Sequence, residues 1–425
     1  METALTDQLF SIREFGIFLR VFGYLFDYAY IWAPFVFGYL ALKMWIIYAK
    51  TDFILKQGSV LLEIKLPKEA PRSPKAMEIF ITALWQTGAA TEIDTYWWGK
   101  IRPWWSFEMV SLGGQVHFYI WAHRKWKNLV EAQLYASYPG IEVYEAEDYL
   151  KTLYHDPMEK PFWALNFKMD KPDPYPIMTY VDYGLDRDQK EEYKVDPLVA
   201  VLEYLASMKS DDIGIIQILF QAHKKERFAD GRLIFRKDWK DAIKKEVEKI
   251  RKEAAKAYGE VVKSISPEGK TPFPMVSLTK GQEEQITAME RSMAKFPFEC
   301  IVRGIYYTTK ESFNPVYING LIGSMRQFSS NTMNGFKTGW YTDFDYPWQD
   351  FHRLRRNLAE RGMLRSLKMR SFFHAPYRNF HSKPYILTTE ELATIFHFPS
   401  AIAAPTPTIA RVSAKKVEAP ANLPT

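Results

Sequence analysis

The stretch WWSFEMVSLGGQVHFYIW, from Trp104 to Trp121, decides the fold. Two runs rich in aromatic and apolar residues flank Gly113-Gly114. A glycine pair between such runs marks a tight hairpin, because a two-residue primed turn needs positive φ at its first central position (II′) or at both (I′). Upstream, VLLEIKLP (Val60–Pro67) reads as a strand. Pro71 and Pro74 end it, and Pro74 suits a helix start. Ala76, Met77, Ile79, Phe80, Ala83 and Leu84 then recur at helical spacing. Downstream, Lys127–Tyr138 is helical, Pro139-Gly140 stops it, and Ile141–Tyr144 opens a closing strand. Strand, helix, strand, strand, helix, strand is the ferredoxin-like split βαβ order.

The order recurs further on. Phe162–Met169 reads as a strand, and Asp196 as an N-cap with Pro197 behind it, opening a helix over Leu198–Met208. Ile213–Phe220 and Phe298–Tyr307 are apolar strands. Ser312–Gln327 has helical character late in it, and Met333–Tyr341 closes a second sheet. Between the two apolar strands lie a charged helix, Lys237–Tyr258, with eight basic and five acidic residues, a loop with Pro267, Pro272 and Pro274, and a second helix, Thr279–Ala294. This pair reads as a solvated hairpin or as a contact arm for a neighbouring subunit.

The N-terminal side adds Tyr28–Ala49, 22 residues with one charge, Lys43. As a helix it spans about 33 Å, enough for a bilayer core of about 30 Å. Trp32 and Trp45 lie near its ends, where aromatic belts form, and Lys43 is placed to snorkel. These three are the expected membrane-interface residues. Two Lys/Arg precede the span (Arg13, Arg20) and six lie in Lys50–Lys75, so the positive-inside rule puts the rest in the cytoplasm. A buried core helix, or an interfacial hairpin bending near Asp27 with Phe15–Phe26 as its other arm, is the alternative. The start lacks the basic region of a cleavable signal peptide. Aromatic residues make up 16% of the chain, which suits membrane contact.

The expected class is therefore α+β: an N-terminal transmembrane helix, two ferredoxin-like (βαββαβ) domains, the second with an inserted helical hairpin, then a basic helix and a Pro/Ala-rich tail. The expected boundaries are 1–56 for the membrane anchor, 57–155 for the first domain, 156–345 for the second with its insertion at about 237–295, 346–399 for the basic C-terminal region, and 400–425 for a flexible tail. Thr388 and Glu391 fit a capping box at the start of a short helix, Thr388–Phe398.

Local signatures of catalysis are absent. Gly269-Lys270-Thr271 resembles the end of a P-loop, but position 264, where that motif needs glycine, is Ser264. There is no HExxH and no GxSxG. His374 and His381 stand seven apart in a basic loop without an acidic or thiol partner, and read as stacking or surface residues. The single cysteine, Cys300, excludes an intramolecular disulfide and lies in an apolar strand, so a buried structural thiol is expected. Asp211-Asp212 fall in the turn before a strand. No cofactor, no metal and no enzymatic activity are expected.

Charge points elsewhere. The chain nets +6, yet Phe351–Lys383 alone holds nine Lys/Arg against Glu360, a surplus of eight. Within it, Trp348–Met369 reads as a basic helix. The candidate nucleic-acid-binding residues are Arg353, Arg355, Arg356, Arg361, Arg365, Lys368 and Arg370. Several can share one helix face, where guanidinium groups grip phosphates. Phe351, Phe372, Phe373, Tyr377 and Phe380 interleave, as in proteins that stack single-stranded bases. Anionic lipid, an acidic protein partner and a plain solvated face are the competing readings.

Four long strings carry a family resemblance: LLEIKLPKEAPRSPKAMEIF (Leu61–Phe80), PWWSFEMVSLGGQVHFYI (Pro103–Ile120), LVEAQLYASYPGIEVYEAEDY (Leu129–Tyr149) and YILTTEELATIFHFPS (Tyr385–Ser400). They resemble the uncharacterised N-terminal region of bacterial type IV secretion-system DNA-binding-domain proteins, where a TraG/TraD- or HerA-like P-loop ATPase follows. The resemblance spans nearly the whole chain. It implies a membrane-anchored, non-catalytic adaptor of a conjugation-like DNA-translocation machine in the inner (cytoplasmic) membrane, single-pass, with cytoplasmic C-terminal domains. The implied partners are the membrane, DNA, further copies of the chain and a P-loop ATPase. No Walker motif is present and the sequence stops at Asn422-Leu423-Pro424-Thr425, so that ATPase is expected in trans or as a part lost from the chain. A structural membrane scaffold binding anionic lipid or protein, without nucleic acid, is the alternative.

Overall fold

The computed structural model describes residues 23–24, 26–67, 73–88, 91–186, 195–223, 239–265, 278–399 and 411–412. Arg13, Arg20, the first part of Phe15–Phe26, the Gly269-Lys270-Thr271 string, the prolines near it and nearly all of the tail lie outside them.

The chain divides into two units. The first comprises Met1–Lys56 and Ala90–Ile101. Its main element is α1, Ala29–Gln57, a helix whose apolar window has none of its residues buried in protein. It is long and apolar enough to cross a membrane. Pro34 lies inside it.

The second unit is built on one sheet. Its strands are β1 (Ser59–Pro67), β2 (Trp104–Leu112), β3 (Gln115–His123), β4 (Glu142–Glu145), β5 (Phe162–Met169), β6 (Ile213–Ala222), β7 (Pro297–Tyr307), β8 (Phe336–Tyr341), β9 (Tyr385–Thr388) and β10 (Arg411–Val412). The order is β10-β1-β3-β2-β6-β7-β5-β8, with β4 also on β1 and β9 also on β7. The mixed α+β class is as expected. The two sheets read from the sequence are one, because β2 and β6 pair antiparallel over nine residues, Trp104↔Gln221 to Leu112↔Ile213. Two parts of the sheet missing from the sequence reading are β9, which extends the sheet along β7 from Pro297↔Thr388 to Cys300↔Tyr385, and the short parallel β10.

The decisive hairpin forms as read. Leu112 faces Gln115, and Gly113 and Gly114 have φ of 60° and 85°. A Cβ on either would lie 2.8 Å from a backbone oxygen, that of Ser210 or Met208, so the turn is pressed onto the connection that leads into β6. Other local signals hold as well. Asp196 accepts from the Leu198 N–H at the start of α5 (Pro197–Ala206), and Thr388 with Glu391 closes a capping box. Asp212, in the turn before β6, is buried and accepts from the Thr308 hydroxyl at 2.5 Å. Cys300 is buried in β7, and burial pushes its thiol up.

The helices α2 (Lys75–Ala83), α4 (Lys127–Ser137), α5, α8 (Pro315–Ser324) and α10 (Thr389–Ile395) belong to this unit; α3 (Glu92–Tyr96) belongs to the first. One face of the sheet is apolar: Phe107 touches Phe80 of α2, Phe220 of β6 and Phe396 just after α10. Each such buried ring contributes roughly 1.5–3 kcal/mol. Between β6 and β7 stand α6 (Trp239–Ile265) and α7 (Lys280–Met293), joined by a core of Trp239, Ile243, Val247, Ile250, Ile286 and Met289 at helical spacing.

Candidate functional site

The opposite face of the sheet carries a polar row. The register sets Glu63 beside Tyr119, Tyr119 beside Glu108, Glu108 beside Gln217, Gln217 beside Arg303 and Arg303 beside Asn166, across six strands. Residues in register share a face. Glu108, Gln217, Arg303 and Asn166 are fully buried, and a buried polar group needs a partner. Gln217 donates to Glu108 at 2.9 Å, and Arg303 donates to Gln217 at 3.3 Å. The remaining partners come from the segment that covers this face. Arg303 donates to the Ser371 carbonyl, and Asn166 to the Phe380 carbonyl and the Ser382 hydroxyl. Among the described residues no carboxylate forms an ion pair with Arg303, and burial pushes its guanidinium down to about 9.

That covering segment follows α9 (Leu354–Lys368), the basic helix. It begins six residues later than the sequence suggests. Pro347–Gln349 forms a separate 3₁₀ turn, Arg353 is left-handed with φ of 56°, and the Asp350 carboxylate accepts from the Arg355 and Arg356 N–H groups at the helix start.

The seven predicted residues fall into three environments. Arg370 lies beyond the helix and is buried. Its guanidinium donates to both Glu108 oxygens (2.7 and 3.1 Å) and both Asp148 oxygens (2.8 and 3.1 Å), and Tyr149 also donates to Glu108. Burial alone would raise the Asp148 carboxyl, but Arg370 holds it below its usual range. Arg370 is thus an internal tie, and its committed geometry leaves nothing for a phosphate. Arg356 is half-buried between Glu360 (2.8 Å) and Asp343 (2.9 Å). Arg353 and Arg355 are exposed, the latter over the Phe344 ring and donating to the Gln349 carbonyl.

Arg361, Arg365 and Lys368 remain, spaced i, i+4 and i+7 on one helix face. With Tyr154, His155 and Leu364 they line a cleft of about 390 Å³. Among the described residues none of the three forms an ion pair or a side-chain hydrogen bond. At the cleft floor the His155 side chain is 8% exposed and its Nδ1 is 3.6 Å from Glu360; Nε2 has no hydrogen-bond partner. Burial and the Arg361 charge both lower its pKa. The cleft therefore offers three unspent cations and one neutral imidazole to an anion.

The proposed stacking rings are not a set. Phe372 and Phe373 are buried, whereas Phe351 is exposed. His381 stacks on Trp340 with centroids 4.5 Å apart, and His374 lies near Trp104. No group of three metal-ligating side chains occurs among the described residues. In the first unit Trp32 and, further along, Lys43 and Trp45 are exposed on α1. The sequence reading missed Glu108, Gln217 and Arg303. The available signal was a charged or amide residue inside each of three apolar strands.

The chain matches none of the curated proteins with which it was compared. A family model, that of a domain of unknown function (DUF8128), matches residues 55–410, and the chain belongs to that family.

Proposed function

We propose that the protein is a membrane-anchored, non-catalytic adaptor of a type IV secretion-like DNA-translocation machine, working with a P-loop ATPase supplied by another chain. In this reading α1 holds it in the inner membrane as a single pass, with the remainder cytoplasmic and assembled with further copies. The sheet is two ferredoxin-like βαββαβ units fused through β2 and β6, an interpretation supported by the strand orders β4-β1-β3-β2 and β6-β7-β5-β8. The observation that carries the DNA contact is the cleft of Arg361, Arg365 and Lys368, whose spacing and lack of carboxylate partners suit a phosphate backbone.

The test is DNA binding by the full chain in detergent or nanodiscs over a salt series. Reversal of the three charges (R361E, R365E, K368E) is expected to lower affinity at least tenfold at low salt and to flatten the slope of log K against log salt by about 3. Unchanged affinity and slope would overturn the reading.

A second reading, a scaffold lying on anionic lipid, is favoured by one specific feature. Trp348, Phe351, Leu354 and Leu358 are all more than half exposed at the start of α9, ahead of the cationic cleft residues. Apolar and basic residues side by side suit a lipid interface. Flotation with anionic vesicles, lost in the same triple variant and unaffected by competing DNA, would replace the first reading with this one.

A further inference from the structure

We propose that residues 91–101 form a second membrane-contacting element, an interfacial clip seated against the C-terminal part of α1, with Ile93, Trp97 and Trp98 entering the headgroup layer. The proposal rests on α1 being a membrane span.

The clip is closed on itself. Thr91 and Asp94 cap the short helix α3 reciprocally, and the Asp94 carboxylate also accepts from Lys100 at 2.9 Å, while the Lys100 N–H donates to the Asp94 carbonyl. That closure brings Gly99 onto α1. At a φ of 65° its missing Cβ would sit 2.3 Å from the Ala49 carbonyl carbon and oxygen and 2.5 Å from the Lys50 nitrogen, so only glycine permits this approach. The Trp97 ring lies 5.4 Å from that of Trp45, and Trp45 lies 6.0 Å from Tyr48. Contact with α1 thus falls where its apolar run ends and Lys50, Asp52 and Lys56 begin.

Having fixed its backbone there, the clip presents Ile93, Trp97 and Trp98 outward at 71%, 60% and 63% exposure. Three large apolar side chains within six residues, two of them tryptophans, have the composition of a bilayer interface: the ring body is apolar and the indole N–H finds water or headgroups. The occupant is lipid because this surface continues that of α1, whose apolar window has no residue buried in protein. Asp94 and Lys100 form the polar side of the clip.

The experiment uses the full chain in proteoliposomes with the single substitutions Trp98→Cys, Tyr39→Cys and Glu311→Cys, each new cysteine carrying an environment-sensitive fluorophore. The unsubstituted chain controls for labelling of buried Cys300. Quenching is read with nitroxides placed shallow or deep in the lipid, and with aqueous iodide. Label at 98 is expected to be quenched at least twofold more by shallow than by deep nitroxide, label at 39 by deep nitroxide, and label at 311 by iodide alone. Gly99→Val is expected to abolish the shallow quenching at 98 and to leave 39 unchanged. If 98 behaves like 311 while 39 is quenched from the lipid, the clip is wrong and the span stands. If 39 is also silent to lipid nitroxide, the span reading falls and takes the clip with it. Protection of 98 from every quencher would mean that protein, not lipid, covers it, and would equally overturn the proposal.

Discussion

Two stretches of the basic C-terminal segment, a few residues apart, use the same side-chain chemistry in opposite ways. Arg361, Arg365 and Lys368 face a cleft without an ion pair among the described residues. Arg370, two residues after Lys368, is buried and tied to Glu108 and Asp148. The difference lies in what each faces. The sheet beneath the segment carries a charge, Glu108, that has no other cationic partner among the described residues, and burying an unpaired carboxylate is costly enough that a cation must come with it. A run of arginines is therefore not one surface. Part of it anchors the segment, and only the remainder is free to recognise a ligand.

The largest effect is expected at Arg370. Arg370→Met removes the cation and leaves Glu108 fully buried without an ion pair and Asp148, 26% exposed at its side chain, without its partner, with an expected loss of about 3–5 kcal/mol. Denaturant unfolding of the full chain measures this. A loss below 1 kcal/mol would mean that the tie contributes little. The next effect belongs to Arg356, which stands between the two extremes. Arg356→Ala leaves Glu360, 4% exposed at its side chain, without its shortest ion pair, and is expected to cost about 1–3 kcal/mol. A double cycle with Glu360→Gln should recover part of that cost, because the amide carries no charge to strand.

These placements were only partly legible in the sequence. Local chemistry was: Gly113-Gly114 could be little other than a hairpin, and Asp196, Thr388 and Glu391 announce helix starts through hydrogen bonds made within three residues. The strands Trp104–Leu112 and Phe162–Met169 were bounded correctly for the same reason, apolar runs closed by turn residues. What failed was non-local. Nothing near Arg370 in the chain distinguishes it from Arg365; its fate is decided by Glu108, 262 residues away. The late start of α9 was hidden because a left-handed arginine at position 353 follows no composition rule. The clip at residues 91–101 was overlooked since five helical residues, Glu92–Tyr96, give too little periodicity to register.

On the outward side the cleft cations act on a titrating neighbour. His155 sits between Glu360 and the cleft cations, and its pKa is lowered by burial first and by Arg361 second. A histidine that binds its proton less readily when folded makes the fold less stable as pH falls below its ordinary value of about 6.5. Arg361→Gln removes one of the two causes. The His155 pKa, read from its imidazole NMR signals, is expected to rise, and the acid-side loss of stability to shrink. Cleft occupancy by an anion should move the pKa in the same direction. A pKa that stays fixed under both changes would separate His155 from the cleft electrostatically.

The smallest stability effect is the most informative about function. Arg361 and Arg365 are exposed and without ion pairs among the described residues, so replacing either with glutamine removes no bond. Surface changes of this kind stay within about 0.5 kcal/mol. Relief of repulsion among three cations on one face could even make the change slightly favourable. The prediction is therefore dissociation of two readouts: Arg361→Gln with Arg365→Gln should leave the unfolding midpoint where it is while weakening salt-dependent anion binding. Arg370→Met should do the reverse in order, losing stability first and binding only as the covering segment loosens. A parallel fall of stability and binding in both variants would mean that the cleft and the tie are one structural unit, and the cations facing the cleft would then be part of the fold rather than a surface kept for a partner.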